Sequence, residues 1–144
     1  MSDPRNRDLS HALAIAIGRV NRRMRSTEGQ ALGHGHLSTL GTLSKNKPLR
    51  LGELALREVV SAPSMTRTVS DLERRGLVRR LPDPDDRRSV LVELTEQGEQ
   101  TVFEARSHRA ELLATMLEDL SESDVTKLRE ALPLLERMSE PPAP

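Results

Sequence analysis

The sequence predicts a mainly α protein that carries a small β-sheet of two to three strands near its middle. Apolar residues recur at helical spacing over most of the 144 residues. Two Val/Leu-rich runs, 77–81 and 89–94, bracket Pro82-Asp83-Pro84-Asp85-Asp86, a stretch dense in turn formers. Phe103 is the only aromatic residue, so the core must come from Leu, Val, Ala, Ile and Met, which suits helix packing.

Each element follows from its own residues. Residues 1–8 read as frayed. Leu9, Leu13, Ala16, Ile17, Val20 and Met24 make one face of a first helix ending near Ser26, with Arg19, Arg22, Arg23 and Arg25 on the polar face. Gly29, Gly33 and Gly35 mark a loop. A second helix carries Leu37, Leu40 and Leu43 and stops before Asn46-Lys47-Pro48. Leu51, Leu54 and Ala55 belong to a short third helix. Ser61-Ala62-Pro63-Ser64 then starts a fourth, with a capping hydroxyl and a proline in the first turn. Met65, Val69 and Leu72 give its buried stripe, and Gly76 ends it. After the two strands, Thr95 caps a long helix running to about Leu120. Ser121 opens a last helix with Val125, Leu128, Leu132, Leu135 and Met138, interrupted by Pro133, and residues 141–144 form a tail. The expected order is four helices, a hairpin and two helices.

Net charge is zero, but its distribution is uneven. Residues 1–92 hold 17 Lys/Arg against 10 Asp/Glu, a balance of +7, and residues 93–144 hold 5 against 12, a balance of −7. Such a chain can turn a basic face to a polyanion. Absence of cysteine excludes disulfides, thiolate metal sites and cysteine redox switching. The N-terminus has no signal-peptide character and no apolar run reaches the roughly 20 residues of a membrane span. A cytoplasmic protein that is not an enzyme is expected: there is no phosphate-binding glycine loop, nucleophile–base signature or carboxylate pair.

Residues 51–72 suit a helix-turn-helix, with Val59 and Val60 in the turn and Leu54, Val60, Met65 and Val69 holding the two helices together. The start of the second helix offers Ser61, Pro63, Ser64, Thr66, Arg67 and Thr68. Short hydroxyl side chains and an arginine there can bond phosphates and base edges. The hairpin sharpens this reading. Leu72-Glu73-Arg74-Arg75-Gly76-Leu77-Val78-Arg79-Arg80, Asp83-Pro84-Asp85-Asp86-Arg87-Arg88 and Val92-Glu93-Leu94-Thr95 with Gly98 resemble the MarR family of winged helix-turn-helix transcriptional regulators.

The resemblance implies a single domain over 1–144, with a winged helix-turn-helix DNA-binding lobe at 36–98 and dimerisation helices at 9–28 and 99–139. It implies a homodimer on pseudo-palindromic double-stranded DNA, most often as a repressor, with the fourth helix in the major groove. Arg88 matches the wing-tip arginine that enters the minor groove, and Asp86 matches the acid that orients it. Arg87 is expected on phosphate. Arg74, Arg75, Arg79 and Arg80 read equally as solvated charges or as DNA contacts. The resemblance further implies a small anionic or lipophilic effector in a crevice whose expected walls include Arg19, Met24, His36 and Leu40. No cofactor and no metal are expected. Alternative readings are a zinc-responsive regulator on the same scaffold, using His11, His34, His36, His108, Glu28 or Glu104, and a winged-helix protein–protein module.

Overall fold

A computed structural model describes residues 4–27, 32–46 and 48–140. Expected features at Glu28, Gly29, Lys47 and the tail at 141–144 lie outside the described residues. Six helices and a three-stranded sheet follow in the order α1 (Pro4–Thr27), α2 (His34–Lys45), β1 (Leu49–Arg50), α3 (Leu51–Glu58), α4 (Ala62–Arg74), β2 (Val78–Pro82), β3 (Val90–Leu94), α5 (Glu96–Glu118) and α6 (Glu122–Ser139). The mainly α architecture with a small sheet is therefore as the sequence predicts. Three boundaries differ. The first helix already begins at Pro4, a residue whose fixed φ and missing N–H suit a first turn. The second helix begins at His34 and so takes in Gly35, which the sequence reads as loop. Leu49 and Arg50, too short a run to show period-two patterning, form a third strand.

The sheet is antiparallel with order β1-β3-β2. Leu49 pairs with Val92 and Arg50 with Leu91, while Val78 to Pro82 pair with Leu94 to Val90. β1 leads straight into α3, so the sheet grips the start of the helix-turn-helix.

The chain divides into two compact units, 1–108 and 109–144, with α5 contributing to both. The core lies in the first. Leu40 and Leu43 of α2, Leu54 and Ala55 of α3, and Met65, Val69 and Leu72 of α4 pack with Leu49, Leu77, Val78, Val92 and Val102. Leu54, Met65 and Val69 do hold the helix pair as expected, but Val60 does not: it is 44% exposed. The reason is the backbone of the turn, where Val59 adopts φ 55 and ψ 45. α4 is closed by Gly76 at φ 74, with Leu77 N–H donating to Leu72 C=O at 3.0 Å. At the start of α5, Thr95 Oγ1 accepts from Gly98 N–H at 3.1 Å and donates to Gly76 C=O at 2.6 Å, locking this helix to the end of α4.

In the second unit, α6 is capped by Ser121, whose Oγ accepts from Asp124 N–H at 3.1 Å. Its hydroxyl also donates to the Asp124 carboxylate, which with Lys127 holds that acid below the usual carboxylate range. None of the residues of α6 is buried; Leu128, Leu132, Leu134, Leu135 and Met138 all stay exposed. On α1, Leu9, Ile15, Ile17 and Val20 are exposed as well. No described helix is long and apolar enough to cross a membrane.

Candidate nucleic-acid interface

The helix expected to meet DNA is α4. Ser61 precedes it in extended conformation, and its Oγ accepts from Ser64 N–H at 3.3 Å, satisfying one of the donors a helix start leaves unpaired. The Ser61 hydroxyl donates to Ser64 Oγ at 2.9 Å, and Thr66 Oγ1 donates back to Ala62 C=O at 3.0 Å. The Thr66 proton is thus committed, which leaves that side chain an accepting lone pair and a methyl group to present. Ser61, Pro63, Thr66 and Arg67 are exposed, and Ser64 and Thr68 are half-buried. Met65, Val69 and Leu72 face the core, so the register of the helix turns the predicted contact residues outward.

The wing is built around its acids. Asp83, only 4% exposed, accepts from Arg50 Nε at 2.5 Å and from Asp85 N–H at 2.9 Å. The Arg50 hydrogen bond, followed by those from the Asp85 and Asp86 backbone, holds the Asp83 carboxyl below the usual range. The same contact raises the Arg50 guanidinium above its ordinary value. Asp86 turns the tip: its Oδ1 accepts from Arg88 N–H at 3.0 Å, and its carbonyl accepts from Ser89 N–H at 3.0 Å. Arg88 Nε lies 3.6 Å from Asp86 Oδ1 while its side chain is 93% exposed. One carboxylate therefore shapes the backbone and lies beside the guanidinium, close enough to bias its rotamers.

The remaining arginines of this region are engaged elsewhere. Asp71 gathers Arg74 Nη2 at 2.9 Å, Arg75 Nε at 3.1 Å and His36 Nε2 at 2.8 Å. Burial opposes the charged form of Asp71, but Arg75, His36 and Arg74 outweigh it and hold the carboxyl below its ordinary value. Arg79 pairs with Glu93, and Arg80 reaches Ser70 Oγ at 2.9 Å and lies 3.7 Å from Glu73. By contrast, Arg67 and Arg87 are exposed and have no ion pair among the described residues. Arg50, Asp83 and Asp71 are the site residues that sequence reasoning missed. Their partners lie 33 and 35 residues away for the Arg50–Asp83 and His36–Asp71 pairs, and no local pattern carries that information.

The structure does not gather the expected effector walls into one accessible surface. Leu40 is completely buried in the core and offers nothing to a ligand in this conformation; α2 turns that face inward against α3 and α4. His36 is half-buried and bonded to Asp71, Met24 is half-buried, and Arg19 is exposed. Two surface depressions, one lined by Glu96, Gln97, Glu99, Gln100 and Phe103 and the other by Leu120, Glu122, Val125, Thr126 and Arg129, involve none of these four. Among the described residues, no three His, Asp or Glu side chains are grouped so as to hold a metal ion.

A helix pair with an outward-facing, hydroxyl-rich second helix, beside a hairpin tipped by arginine, defines a winged helix-turn-helix protein. The comparisons with known proteins make this specific. The model of the MarR family matches residues 32–90. An HTH-type transcriptional regulator of Mycobacterium tuberculosis is 38% identical over 128 residues, 88% of this chain and 90% of the relative. One from Mycobacterium leprae, described as uncharacterized, is 38% identical over 93% of this chain and 95% of its own. The solved structure of a MarR family protein from Bacillus stearothermophilus is 25% identical, with a TM-score of 0.78, covering 97% of this chain and 99% of that one. The chain belongs to the MarR family of transcriptional regulators.

Proposed function

We propose that the protein is a homodimeric repressor that binds a pseudo-palindromic operator in double-stranded DNA, with α4 in the major groove and Arg88 in the adjacent minor groove. The carrying observation is the sorting of the arginines. Arg50, Arg74, Arg75, Arg79 and Arg80 are tied to acids or to Ser70, while Arg67, Arg87 and Arg88 project from the reading helix and the wing. A narrow minor groove concentrates negative potential and favours a guanidinium, and Asp86 supports Arg88 for that position. Arg87 suits phosphate, and Ser61, Pro63, Ser64, Thr66, Arg67 and Thr68 form the reading face.

Dimer formation is supported by the apolar side chains left in water. A helix of 18 residues with none buried, yet carrying four exposed leucines and a methionine, has an unsatisfied face. The exposed face of α1 has the same character. Burying both against a second copy places two reading helices about one helical turn apart on one face of the duplex. A small anionic or lipophilic effector that favours a different spacing of those helices would depopulate the DNA-competent state. Arg19, Met24 and His36, on α1 and α2, are the surface proposed to meet it.

The test is binding of a promoter-derived duplex against a random duplex over a range of salt. Affinity should fall linearly on a log–log plot with a slope of about −0.9 for each phosphate contacted, and the promoter duplex should bind more tightly. Equal binding of both at every salt concentration would overturn this reading in favour of a winged-helix module that binds protein.

A further inference from the structure

The turn between α3 and α4 contains a residue that the backbone does not favour. Val59 sits at φ 55, ψ 45, in the left-handed region where a β-branched side chain is strained. The chain meets the same need at the end of α4 with Gly76, at φ 74. Packing does not explain the valine, because Val59 is 88% exposed. Its neighbour Val60 is 44% exposed and Leu56, on the last turn of α3, is 81% exposed. Strain and apolar exposure coincide directly before Ser61, the cap of the reading helix.

We infer that Val59 and Val60 contact the C5-methyl groups of thymines in the major groove, making the α3–α4 turn a specificity-determining element. The inference rests on the DNA reading proposed above and deepens it. The thymine methyl is the apolar mark on the major-groove edge of a base pair, and an apolar side chain recognises it where a hydroxyl or guanidinium gains nothing. In sequence the pair stands between the exposed Arg57 and the exposed start of α4, and the intervening Glu58 carboxylate accepts from Thr42 Oγ1 at 2.5 Å. A left-handed residue at this corner projects its side chain away from the helix pair, at the end of α4 that enters the groove.

The test uses the full-length protein and duplexes it selects from a random pool. Each thymine of the selected site is replaced in turn by uracil, which removes the methyl and nothing else. At one thymine position per half-site the wild type should lose about 4-fold in affinity, the worth of one buried methyl group. The V59A/V60A variant should lose most of the discrimination between the thymine and uracil duplexes, since alanine leaves only one methyl to make the contact. Val59→Gly, which suits the backbone and so retains the fold, should lose a large part of the same discrimination. The inference is overturned if uracil is tolerated at every position, or if both variants keep the full uracil penalty. Failure to select any sequence would overturn the DNA reading as well, whereas sequence selection without methyl dependence would overturn this inference alone.

Discussion

Arg50 Nε donates to Asp83 Oδ2 across 2.5 Å, joining the residue before α3 to the first residue of the wing turn. This pair bridges the helix-turn-helix and the wing. Arg50 also lies in β1 opposite Leu91 of the wing strand, so backbone pairing and ion pair hold the same two segments together. The position of the wing relative to the helix-turn-helix thus depends on a carboxylate that is almost wholly buried.

Asp83 should make stability depend on acid pH. Its folded-state pKa is depressed by Arg50 and the Asp85 backbone N–H, so the stabilisation is present above the unfolded carboxyl value of about 4. It is lost as pH falls through the lower folded value. Asp83→Asn should be less stable than wild type at neutral pH, and the gap should close as the pH drops below about 4. Urea unfolding at a series of pH values measures this; a constant gap would show that the charge on Asp83 contributes nothing to stability.

Arg88→Ala should weaken operator binding by about 1–3 kcal/mol while leaving oligomeric state and thermal unfolding unchanged. Asp86→Ala should weaken it less, since it disturbs the rotamer and turn but spares the guanidinium. Fluorescence anisotropy on a labelled operator reads both, and unaltered affinity in Arg88→Ala would remove the minor-groove assignment.

Two glycines should respond in opposite directions. A Cβ on Gly98 would stand 2.0 Å from the Leu77 carbonyl oxygen, a backbone atom of the β2 approach that cannot move aside. Gly98→Ala should cost about 3 kcal/mol or more by overpacking. A Cβ on Gly41, in the middle of α2, meets nothing within 4 Å, and Gly41→Ala should add roughly 0.5–1 kcal/mol through helix propensity. Chemical denaturation of both variants checks the pair.

Val59→Gly should raise stability by about 1 kcal/mol, because the left-handed backbone ceases to be strained and little packing is lost. Guanidinium unfolding gives the value. A destabilised variant would mean that Val59 makes a contact worth more than its strain.

Leu128→Glu and Leu113→Arg should shift the protein from dimer toward monomer, detected by sedimentation velocity. Both leucines are exposed in the single chain, so their replacement should cost association more than folding of one copy. A fully stable dimer in both variants would move the interface elsewhere.

Much of the fold was legible because its signals are local. The leucine spacing of the helices, Ser61 and Pro63 at the start of α4, Gly76 at its end, and the acidic turn before Arg87 each act within a few residues. β1 was not legible: two residues cannot display a strand pattern, and they become a strand only because β3 is there to pair with them. Val60 looked like core because it is apolar and follows a helix, yet the left-handed turn at Val59 leaves it partly in water. Leu40 had the spacing of a helix face, which could not say whether that face meets a ligand or the core.

By itself, the sequence determined the order of the six helices and the hairpin, the capped start of α4 and the arginine-tipped wing, because capping, periodicity and turn chemistry operate between near neighbours. Helix spacing along α4 already sets Asp71 beside Arg74 and Arg75, but only the tertiary structure decided that Arg50, Arg79 and Arg80 are engaged as well. Asp83 meets Arg50 only because folding brings residues 33 apart together, and that pair engages a guanidinium that the sequence alone counts as equivalent to Arg88.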